Sequence, residues 1–595
     1  MIPLTVAEIA ELTGGTVYMG ETACPGHTAV SPLPADTAAA DAVPADMAAA
    51  DAVPADMAAA DAVSADAVSA DTAPADAVPA DAVSVDIVPA DTAPADIVPA
   101  GAVPADIVPA DAVSADTMVT GTVVTGPVVT DSREAVAGAL FAALPGEHAD
   151  GHAYAALAVE KGAAAVLGAR PLPEAGVPVV VVPDVVTALG LLARGVLARL
   201  PGAVVVGITG SSGKTSTKDL TAQVVEHLGP TIAPEGSFNN EIGVPMTVLR
   251  ADQSTRYLVL EMAARGIGHI AYLCGIAPPK ISAVLNVGRA HAGEFGSIEA
   301  VAKAKGELVE PLPSAADGGV AILNADDPNV AAMAARTSAR VVTFSVAPVA
   351  GEPVVGEPVA GEPVAGEPVA GESARPADVR ATDISLDDLG RASFGLIIGG
   401  GRADVTLRLH GAHHVANALA AAAVASELGL GAADIAAALS GATARSKKRM
   451  ELHETPDGII VVNDAYNANP DSTRAAIEAL AQISGHGQRR RGFAVLGYMA
   501  ELGEIETESH VEAGRQAARS GATAVIAVGD GAAPVLDGAR ATAGWHGEAI
   551  AVPHPRAAVQ ALRDRLRPGD VVLVKASKAA GLWEVADGLL AEVDQ

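Results

Sequence analysis

The sequence predicts an α/β fold organised as three domains around parallel sheets. Short apolar runs recur along the chain, and each ends in a glycine or a polar residue and is followed by a helical pattern. This alternation is typical of βαβ units, which build parallel sheets. The chain has 595 residues, half of them hydrophobic, which suffices for several separate cores. We place the domains at residues 1–200, 201–447 and 448–595.

The predicted elements follow in chain order. In the first domain, PVVVVPD at 178–184 is a buried strand. The central domain opens with the strand AVVVGITG at 203–210 and a helix that begins near Lys214, and it continues with the strands RYLVLEMA and ISAVLNVG. Beyond residue 448, apolar runs and helical patterns alternate in GIIVVNDAYNANPDS, GFAVLGYMAELGE, TAVIAVGD and DVVLVKASKAAG.

Two low-complexity segments interrupt this pattern. Residues 31–125 repeat ADAVP and its variants with a period of five, and residues 347–375 repeat GEPVA. A period of five fits neither a helix nor a strand, and the recurrent prolines disfavour both. No lysine or arginine precedes Arg133, so the aspartates of the first repeat have no local ion-pair partner. We expect both segments to be disordered insertions, with a spacer or docking role as the alternative.

The composition excludes several classes of protein. The net charge is −33, and the 16 aspartates spaced five apart in the first repeat leave −17 for the rest of the chain, so we expect no nucleic-acid partner. Two cysteines, Cys24 and Cys274, make neither a disulfide scaffold nor a zinc site. The N-terminus has no cationic start and carries Glu8 and Glu11, and no apolar run is long enough to span a membrane. We therefore expect a cytoplasmic protein without membrane insertion.

The stretch TGSSGKTS, between a strand and a helix, predicts a phosphate-binding loop. Gly210 and Gly213 let backbone N–H groups approach phosphate oxygens, and the start of the helix adds its partial positive charge. Lys214 would reach the β- and γ-phosphates, and Thr215 would bind Mg²⁺. A plain glycine turn is the alternative, but a Gly-Lys-Thr sequence at this junction favours phosphate binding. The loop has the short form G-x-x-G-K-[ST] instead of the usual P-loop spacing.

Other strand ends also carry candidate ligands, because parallel strands place their carboxyl ends at one edge of the sheet. Glu261 ends YLVLE and would be a hard oxygen ligand for Mg²⁺. His291 lies just beyond AVLNVG, and since imidazole is an unusual Mg²⁺ ligand, the residue type alone favours a structural role. Lys303 and Lys305 lie on a predicted helix, and their spacing alone favours a solvated basic face.

Six motifs in order resemble the Mur ligases: TGSSGKTS, SFNNEIGVPMTVLR, LEMAARGIGHI, RAHAGEFGSIEAVAKAKGEL, GAHHVANALAAAAVA and VVNDAYNANPDS. The resemblance covers essentially the whole chain outside the two repeats, and the shortened phosphate loop is the form that this family uses. It implies a small N-terminal uridine-binding domain, a central ATPase-type parallel sheet and a C-terminal Rossmann-like domain. It also implies that ATP converts a carboxylate into an acyl phosphate, which an amine then attacks.

The resemblance implies a role for each matching residue. The ATP phosphates would be cradled by seven consecutive residues, namely Gly210, Ser211, Ser212, Gly213, Lys214, Thr215 and Ser216. Thr215 and Glu261 would hold one Mg²⁺, with His291 as a further metal ligand. In relatives a lysine of the AKAKGE helix is carbamylated by CO₂ and serves a second Mg²⁺. Lys305 lies nine residues after Gly296, the expected spacing, and is preferred over Lys303.

The remaining implied roles concern substrates and the nucleotide. Asn417 resembles the asparagine at the adenine, and Arg449 and Asp464 match the arginine and the ribose-binding aspartate of the third domain. The motifs also imply catalytic and substrate-binding residues, namely Asn239, Asn240, Ser132, Arg133, Tyr466, Asn467, Lys575 and Ser577. Ala576 and Lys578 depart from the family's VKGSR-like segment, and the first repeat interrupts the uridine-binding domain.

Within the family, NNEIGVP and DAYNANP favour the branch that adds D-alanyl-D-alanine to UDP-N-acetylmuramoyl-tripeptide. A ligase that adds diaminopimelate, lysine or glutamate is the nearest alternative, but the sequence lacks the DNPR-like motif of the diaminopimelate- or lysine-adding branch. A nucleotide-binding scaffold is the alternative from another class, and it would be expected to lose Lys214, Glu261 or Lys305. Both diaminopimelate and lysine stay open as the third residue of the acceptor peptide. We expect a monomer.

Overall fold

The computed structural model describes residues 2–18, 121–146, 149–288, 295–347, 376–485 and 490–591. It confirms the predicted α/β class, with parallel sheets in successive parts of the chain. Both predicted insertions, 31–125 and 347–375, fall almost entirely outside the described residues. Within the described ranges, none of the helices combines the length and the apolar character needed to cross a membrane.

The first part of the chain forms a five-stranded sheet in the order β2-β7-β6-β5-β4 and a separate two-stranded pair, β1-β3. Its strands are β1 (Leu4–Thr5), β2 (Thr16–Tyr18), β3 (Val123–Val124), β4 (Val128–Val129), β5 (Ala139–Ala142), β6 (Ala163–Gly168) and β7 (Val179–Val181). Its helices are α1 (Val6–Thr13), α2 (Ala155–Glu160) and α3 (Val185–Ala198).

The residues on the two sides of the first repeat pair with one another. Leu4 of β1 lies opposite Val124 of β3 in an antiparallel pair, and β2 pairs antiparallel with β7. A capping box starts α1, because Thr5 Oγ1 accepts from the Glu8 N–H at 3.2 Å and the Thr5 N–H donates to Glu8 Oε2 at 2.7 Å. The first repeat therefore departs from and returns to a single folded unit.

The central part of the chain forms a nine-stranded sheet in the order β16-β15-β14-β13-β12-β11-β8-β10-β9. Its strands are β8 (Val204–Thr209), β9 (Thr231–Ile232), β10 (Tyr257–Glu261), β11 (Ile281–Val284), β12 (Val320–Asn324), β13 (Arg340–Ser345), β14 (Val379–Leu386), β15 (Arg391–Ile398) and β16 (Gly401–His410). Its helices are α4 (Lys214–Val225), α5 (Gly243–Val248), α6 (His269–Ile276), α7 (Ile298–Gly306), α8 (Pro328–Ala331), α9 (His414–Glu427) and α10 (Ala432–Gly441).

Strand direction in the central sheet determines where the site lies. Neighbouring strands from β9 to β14 in the sheet order pair in parallel, whereas β15 pairs antiparallel with both β14 and β16. Glu261 at the end of β10 pairs with Ile208, and Thr209 at the end of β8 pairs with Val284 of β11. The loops that follow these three strands therefore meet at one edge of the sheet. The alanine-rich α9 is buried on nearly all sides and packs against α4.

The third part forms a six-stranded sheet in the order β17-β18-β22-β19-β20-β21, parallel except for β17. Its strands are β17 (Glu451–Glu454), β18 (Ile460–Asp464), β19 (Gly492–Leu496), β20 (Ala524–Val528), β21 (Glu548–Val552) and β22 (Val571–Lys575). Its helices are α11 (Pro470–Gly485), α12 (Glu506–Arg519), α13 (Pro534–Arg540), α14 (Pro555–Arg563) and α15 (Trp583–Leu590). Apolar clusters cover both faces of this sheet, as a parallel sheet requires.

Candidate active site

The phosphate loop joins β8 to α4 as the sequence predicts. Gly213 precedes the first helical residue with φ 79°, and a Cβ at this position would lie 2.6 Å from Asn417 Oδ1, so both the backbone and the space require glycine. No side chain caps the start of α4, which leaves its first N–H groups available for an anion. Lys214 Nζ donates to the Gly210 carbonyl at 2.8 Å and so folds back over the loop.

Asn286 and Gly288, which follow β11, hold the phosphate loop in shape. The Ser212 N–H donates to Asn286 Oδ1 at 2.9 Å, and Asn286 Nδ2 donates to the Ser212 carbonyl at 3.2 Å. Ser211 Oγ accepts from the Gly288 N–H at 2.8 Å. Sequence reasoning missed Asn286, although its position just past a strand at the same edge is the signal used for Glu261.

A chain of hydrogen bonds links the loop to the third domain. Thr215 Oγ1 donates to Glu261 Oε2 at 2.9 Å, and Asn239 Nδ2 donates to Glu261 Oε1 at 2.7 Å. Since the Thr215 proton is used in this way, its oxygen accepts from Ser237 Oγ at 2.9 Å. Ser237 Oγ in turn accepts from Arg449 Nη2 at 2.6 Å. The structure thus brings Thr215, Glu261, Asn239 and Arg449 together through Ser237, which sequence reasoning did not single out.

Lys305 is buried beside the loop, whereas Lys303 on the same helix is exposed. Burial places the pKa of the Lys305 amine well below its usual value, and the nearby Lys214 lowers it further. Burial also lowers the pKa of Lys214, although Glu261 opposes this shift. Among the described residues, Lys305 Nζ has no hydrogen-bond or ion-pair partner, so its neutral form is favoured.

Two further residues, His291 and Asn240, carry predicted metal and catalytic roles. His291 lies outside the described residues, and its predicted role stays a prediction. Asn240 Oδ1 accepts from the N–H groups of Gly243 at 2.9 Å and Ile242 at 3.3 Å, which caps the start of α5. In the described ranges, no three His, Cys, Asp or Glu side chains group as a metal site. At the phosphate loop, Glu261 and the Thr215 hydroxyl offer the kind of hard oxygen ligands that a magnesium ion prefers.

Asn417 lies on α9, directly beneath the phosphate loop. Its Oδ1 faces Gly213, and its Nδ2 lies 3.3 Å from His414 Nδ1. Burial places the pKa of His414 well below its usual value, and the neighbouring His413 and His410 lower it further, so the ring is neutral. A neutral imidazole nitrogen can accept from the Asn417 amide and fix its orientation.

In the third domain, the predicted residues are tied to the ends of β18 and β22. Asp464 Oδ2 pairs with Lys575 Nζ at 2.8 Å, and Asp464 Oδ1 accepts from the Met450 N–H at 3.1 Å. Lys575 Nζ also donates to the Asn467 carbonyl at 2.5 Å. Burial lowers the pKa of the Lys575 amine, and the ion pair with Asp464 offsets only part of this shift. The Arg449 guanidinium lies 4.3 Å from the centre of the Tyr466 ring.

Two further predicted side chains, those of Asn467 and Ser577, lie beside these strand ends. Asn467 Oδ1 accepts from the N–H of the next residue at 2.9 Å. Ser577 Oγ accepts from the Ala500 N–H at 2.9 Å and donates to the Ala468 carbonyl at 3.4 Å. These contacts join three loops of the third domain at the edge that faces the phosphate loop.

The start of α11 also rests on the phosphate loop. Asn469 Nδ2 donates to the Ser211 carbonyl at 3.4 Å. A Cβ added to Gly288 would overlap Asp471 Oδ2, which shows how closely the third domain approaches the central one. Asn469 and Asp471 lie in a motif quoted above, but no local pattern distinguished them from their neighbours.

Ser132 and Arg133 lie in the first domain, on a single 3-10 turn after β4. Ser132 is buried, whereas the Arg133 side chain is 47% exposed and pairs with Asp131 at 2.6 Å. The hydrogen bonds from Arg133 lower the pKa of the Asp131 carboxyl. The predicted uridine-binding role of these two residues stays a prediction.

Comparisons with known proteins agree with this arrangement. Three family models match successive parts of the chain: Mur ligase family, catalytic domain (127–196), Mur ligase middle domain (208–425) and Mur ligase, glutamate ligase domain (448–578). A UDP-N-acetylmuramoyl-tripeptide–D-alanyl-D-alanine ligase of Mycobacterium tuberculosis is 47% identical over 506 residues, which are 79% of this chain and 93% of the relative. The Escherichia coli ligase of the same name is 34% identical and covers 78% of this chain and 93% of its own.

Solved structures of similar proteins agree with the family matches. A crystal structure of MurF from Acinetobacter baumannii has a TM-score of 0.66 at 30% identity, covering 79% of this chain and 94% of the other. MurF ligase from Thermotoga maritima in complex with ADP has a TM-score of 0.64 at 27% identity, covering 79% and 98%. With its phosphate loop, its three matched domains and relatives at this level of identity, the chain belongs to the Mur ligase family.

Proposed function

We propose that the protein is an ATP-dependent ligase that joins D-alanyl-D-alanine to the peptide carboxylate of UDP-N-acetylmuramoyl-tripeptide, forming the pentapeptide precursor of peptidoglycan. The observation that carries the proposal is the hydrogen-bond chain from Glu261 and Thr215 through Ser237 to Arg449. It joins a phosphate loop to a cation from another domain, as transfer of a phosphoryl group requires. The relatives that share most of the chain carry this activity in their names.

The chemistry follows from the weakness of a carboxylate as an electrophile. An oxygen of the peptide carboxylate attacks the γ-phosphorus of ATP, ADP leaves, and an acyl phosphate forms. The amine of D-alanyl-D-alanine then attacks the acyl carbon, the resulting tetrahedral intermediate loses inorganic phosphate, and a proton leaves the new amide nitrogen. The loop N–H groups and Lys214 hold the phosphates and offset the charge that develops during transfer.

The residues present fit the predicted magnesium ions. Thr215 Oγ1 and Glu261 supply hard oxygen atoms 2.9 Å apart at the phosphate loop, and these would hold one ion together with phosphate oxygens. The buried Lys305 amine favours its neutral form, which is the form that reacts with CO₂, and a carbamate there would supply oxygen atoms for a second ion. Such ions, when bound, neutralise charge on the transferred phosphoryl group.

The third domain completes the proposed site. Arg449 and Asp464 would meet the nucleotide, Asn417 would contact the adenine, and Tyr466, Asn467, Lys575 and Ser577 would face the substrates. Because Asn469 rests on the phosphate loop, docking of this domain would also exclude water from the acyl phosphate. Ser132 and Arg133 would bind the uridine end of the acceptor. A cytoplasmic location and a monomeric state stay predictions.

The proposal is tested by following inorganic phosphate release from ATP with one amine and its acceptor at a time, the acceptor for D-alanyl-D-alanine being UDP-N-acetylmuramoyl-tripeptide. We expect release with D-alanyl-D-alanine and none with single amino acids such as D-glutamate, diaminopimelate or lysine offered with their own acceptors. Release with a single amino acid instead would assign the chain to another branch of the family. Nucleotide binding without release under any condition would favour a scaffold.

A further inference from the structure

The side of α4 bears a second set of contacts, away from the phosphate loop. Asp219 and Gln223 lie four residues apart on this helix, and Glu226 follows three residues later at its end, so the three share one face. All three hold the segment that connects the central domain to the third domain. We call this segment, residues 442–450, the linker, and we call the contacts of Asp219, Gln223 and Glu226 with it the α4 clasp.

The clasp holds both the backbone and a side chain of the linker. Gln223 Nε2 donates to the Thr443 carbonyl at 2.9 Å, and the Thr443 N–H donates to Gln223 Oε1 at 3.0 Å. Glu226 forms a two-point ion pair with Arg445, at 2.5 and 2.6 Å. A backbone segment held in both directions and by a two-point pair has a fixed register along the helix.

The third contact is the buried one. Asp219 Oδ2 accepts from the Ser446 N–H at 3.0 Å, and both residues are buried. Asp219 is itself fixed by an ion pair with Lys218, whose amine also donates to the Pro234 carbonyl at 2.7 Å. The linker is therefore bound most firmly at Ser446, where a loss of the aspartate would leave a buried N–H without its acceptor.

Beyond Ser446 the linker changes direction sharply. Lys448 and Met450 have positive φ angles of 61° and 51°, which residues other than glycine adopt at an energetic cost. Arg449 lies between them and reaches Ser237, which contacts Thr215 in the first turn of α4. The chain thus leaves the flank of α4 and returns to the start of the same helix within a few residues.

We propose that the α4 clasp is the fixed point from which the third domain moves, and that Gln223 and Glu226 are positioning residues for the ligation. The third domain turns beyond Ser446, at residues 447–450, and Arg449 reaches the phosphate loop from a constant anchor on the helix that the loop begins. This inference rests on the proposed function only for its effect on the reaction rate. The anchoring itself can be measured without any substrate.

The first test measures the anchoring by native-state proteolysis of the full chain. The linker carries the trypsin sites Arg445, Lys447, Lys448 and Arg449, and Gln223→Ala changes none of them. Since cleavage follows the population in which the linker is detached, loss of two hydrogen bonds should raise the rate of cleavage within 445–449 about fivefold or more. An unchanged rate would overturn the clasp as the anchor.

The second test measures positioning by exchanging the charges of the exposed ion pair. Glu226→Arg should lower kcat for D-alanyl-D-alanine-dependent phosphate release about tenfold, with KM for ATP changed less than about threefold. The reason is that the Glu226–Arg445 ion pair would position Arg449 for the reaction and would not bind ATP. Adding Arg445→Glu to this variant should restore most of kcat. The matched control is Glu548→Arg, which breaks the exposed Arg565–Glu548 pair of the third domain, 2.8 Å long, and should leave kcat unchanged.

The outcomes separate this inference from the proposed function. A wild-type kcat in Glu226→Arg, or a loss that the exchanged pair does not restore, would overturn the positioning role. Thermal unfolding is measured in parallel, and since exposed pairs contribute little to stability, the expected midpoints are equal. If the wild-type chain released no phosphate with any amine, the proposed function would fail while the proteolysis still decided whether the clasp anchors the linker.

Discussion

Lys305 and Lys303 offer a matched pair of substitutions that separates catalysis from stability. Lys305 is 3% exposed and lies near Lys214, whereas Lys303, two residues earlier on α7, is exposed to solvent. Methionine keeps the aliphatic stem of lysine and removes only the amine. We expect Lys305→Met to lower kcat by at least about a hundredfold, because it removes the carbamate that would hold a charge-neutralising Mg²⁺, and loss of one such charge-stabilising interaction has an effect of this size. Lys303→Met should stay within about twofold of the wild-type rate.

The effect on folding should have the opposite sign. Burial of an amine that has no partner among the described residues lowers its pKa below the usual 10.5, and each unit of this shift corresponds to about 1.4 kcal/mol. In buffer free of CO₂ at neutral pH, Lys305→Met should therefore raise the free energy of unfolding by about 1–3 kcal/mol, the usual cost of a buried polar group without a hydrogen-bond partner. The unfolded wild-type chain binds more protons than the folded one at pH values between the lowered pKa and 10.5. Wild-type stability thus rises with pH in this window, and the advantage of Lys305→Met should shrink towards pH 10.

The measurements are phosphate release for activity and urea unfolding at several pH values for stability. A carbamate on Lys305 is sought directly by ¹³C NMR of the protein supplied with labelled bicarbonate, with Lys305→Met as the blank. Short carboxylates added to a Lys305→Ala variant should restore part of the activity. The reasoning would be refuted by a severe loss in Lys303→Met together with a mild one in Lys305→Met. A Lys305→Met protein less stable than wild type at neutral pH would contradict the argument from burial.

Three further predictions concern other parts of the site. Lys214→Ala should abolish phosphate release without lowering the thermal midpoint by more than a few degrees, and ligation at the wild-type rate would show that the loop does not bind the phosphates. Gly288→Ala should lower kcat more than tenfold because its Cβ would overlap Asp471 and separate the two domains, whereas Gly275→Ala in α6, with open space at its Cβ, should be neutral in the same assay. Deleting residues 35–117 should leave kcat within a few-fold, and a large rise in KM for the UDP-linked peptide would place the repeat at the uridine pocket.

The local features of the site could be predicted from the sequence because short patterns determine them. The strand before the phosphate loop ends at Thr209 and the following helix starts at Lys214. The apolar run and the Gly-Lys pair predict these two boundaries. Glu261 ends β10 as predicted. The expectation that the spacing of Lys303 and Lys305 favours a solvated basic face is wrong for Lys305, which is buried. Residues two positions apart on a helix point about 200° away from each other, so only Lys303 faces the solvent.

Contacts between domains could not be predicted in this way. Ser237 bridges Thr215 and Arg449, but a serine in a loop has no pattern that indicates which distant residue it meets. The same holds for Asn469, which reaches the phosphate loop from 258 residues away. Asn240 also has a local role, since its side chain accepts from the N–H groups at the start of α5, and its predicted catalytic role stays a prediction.

The pairing of β1 with β3 has a consequence for synthesis of the chain on the ribosome. Leu4 and Thr5 emerge first, but the residues with which they pair are 123 and 124, more than a hundred codons later. At about 5–20 residues per second, translation of that interval takes roughly 6–24 s. During this time the apolar side of α1, with Val6 and Ile9, lacks the residues that bury it in the folded protein. Each added copy of the repeat lengthens this time, so a longer repeat leaves the apolar side of the nascent α1 available to chaperones and proteases for longer.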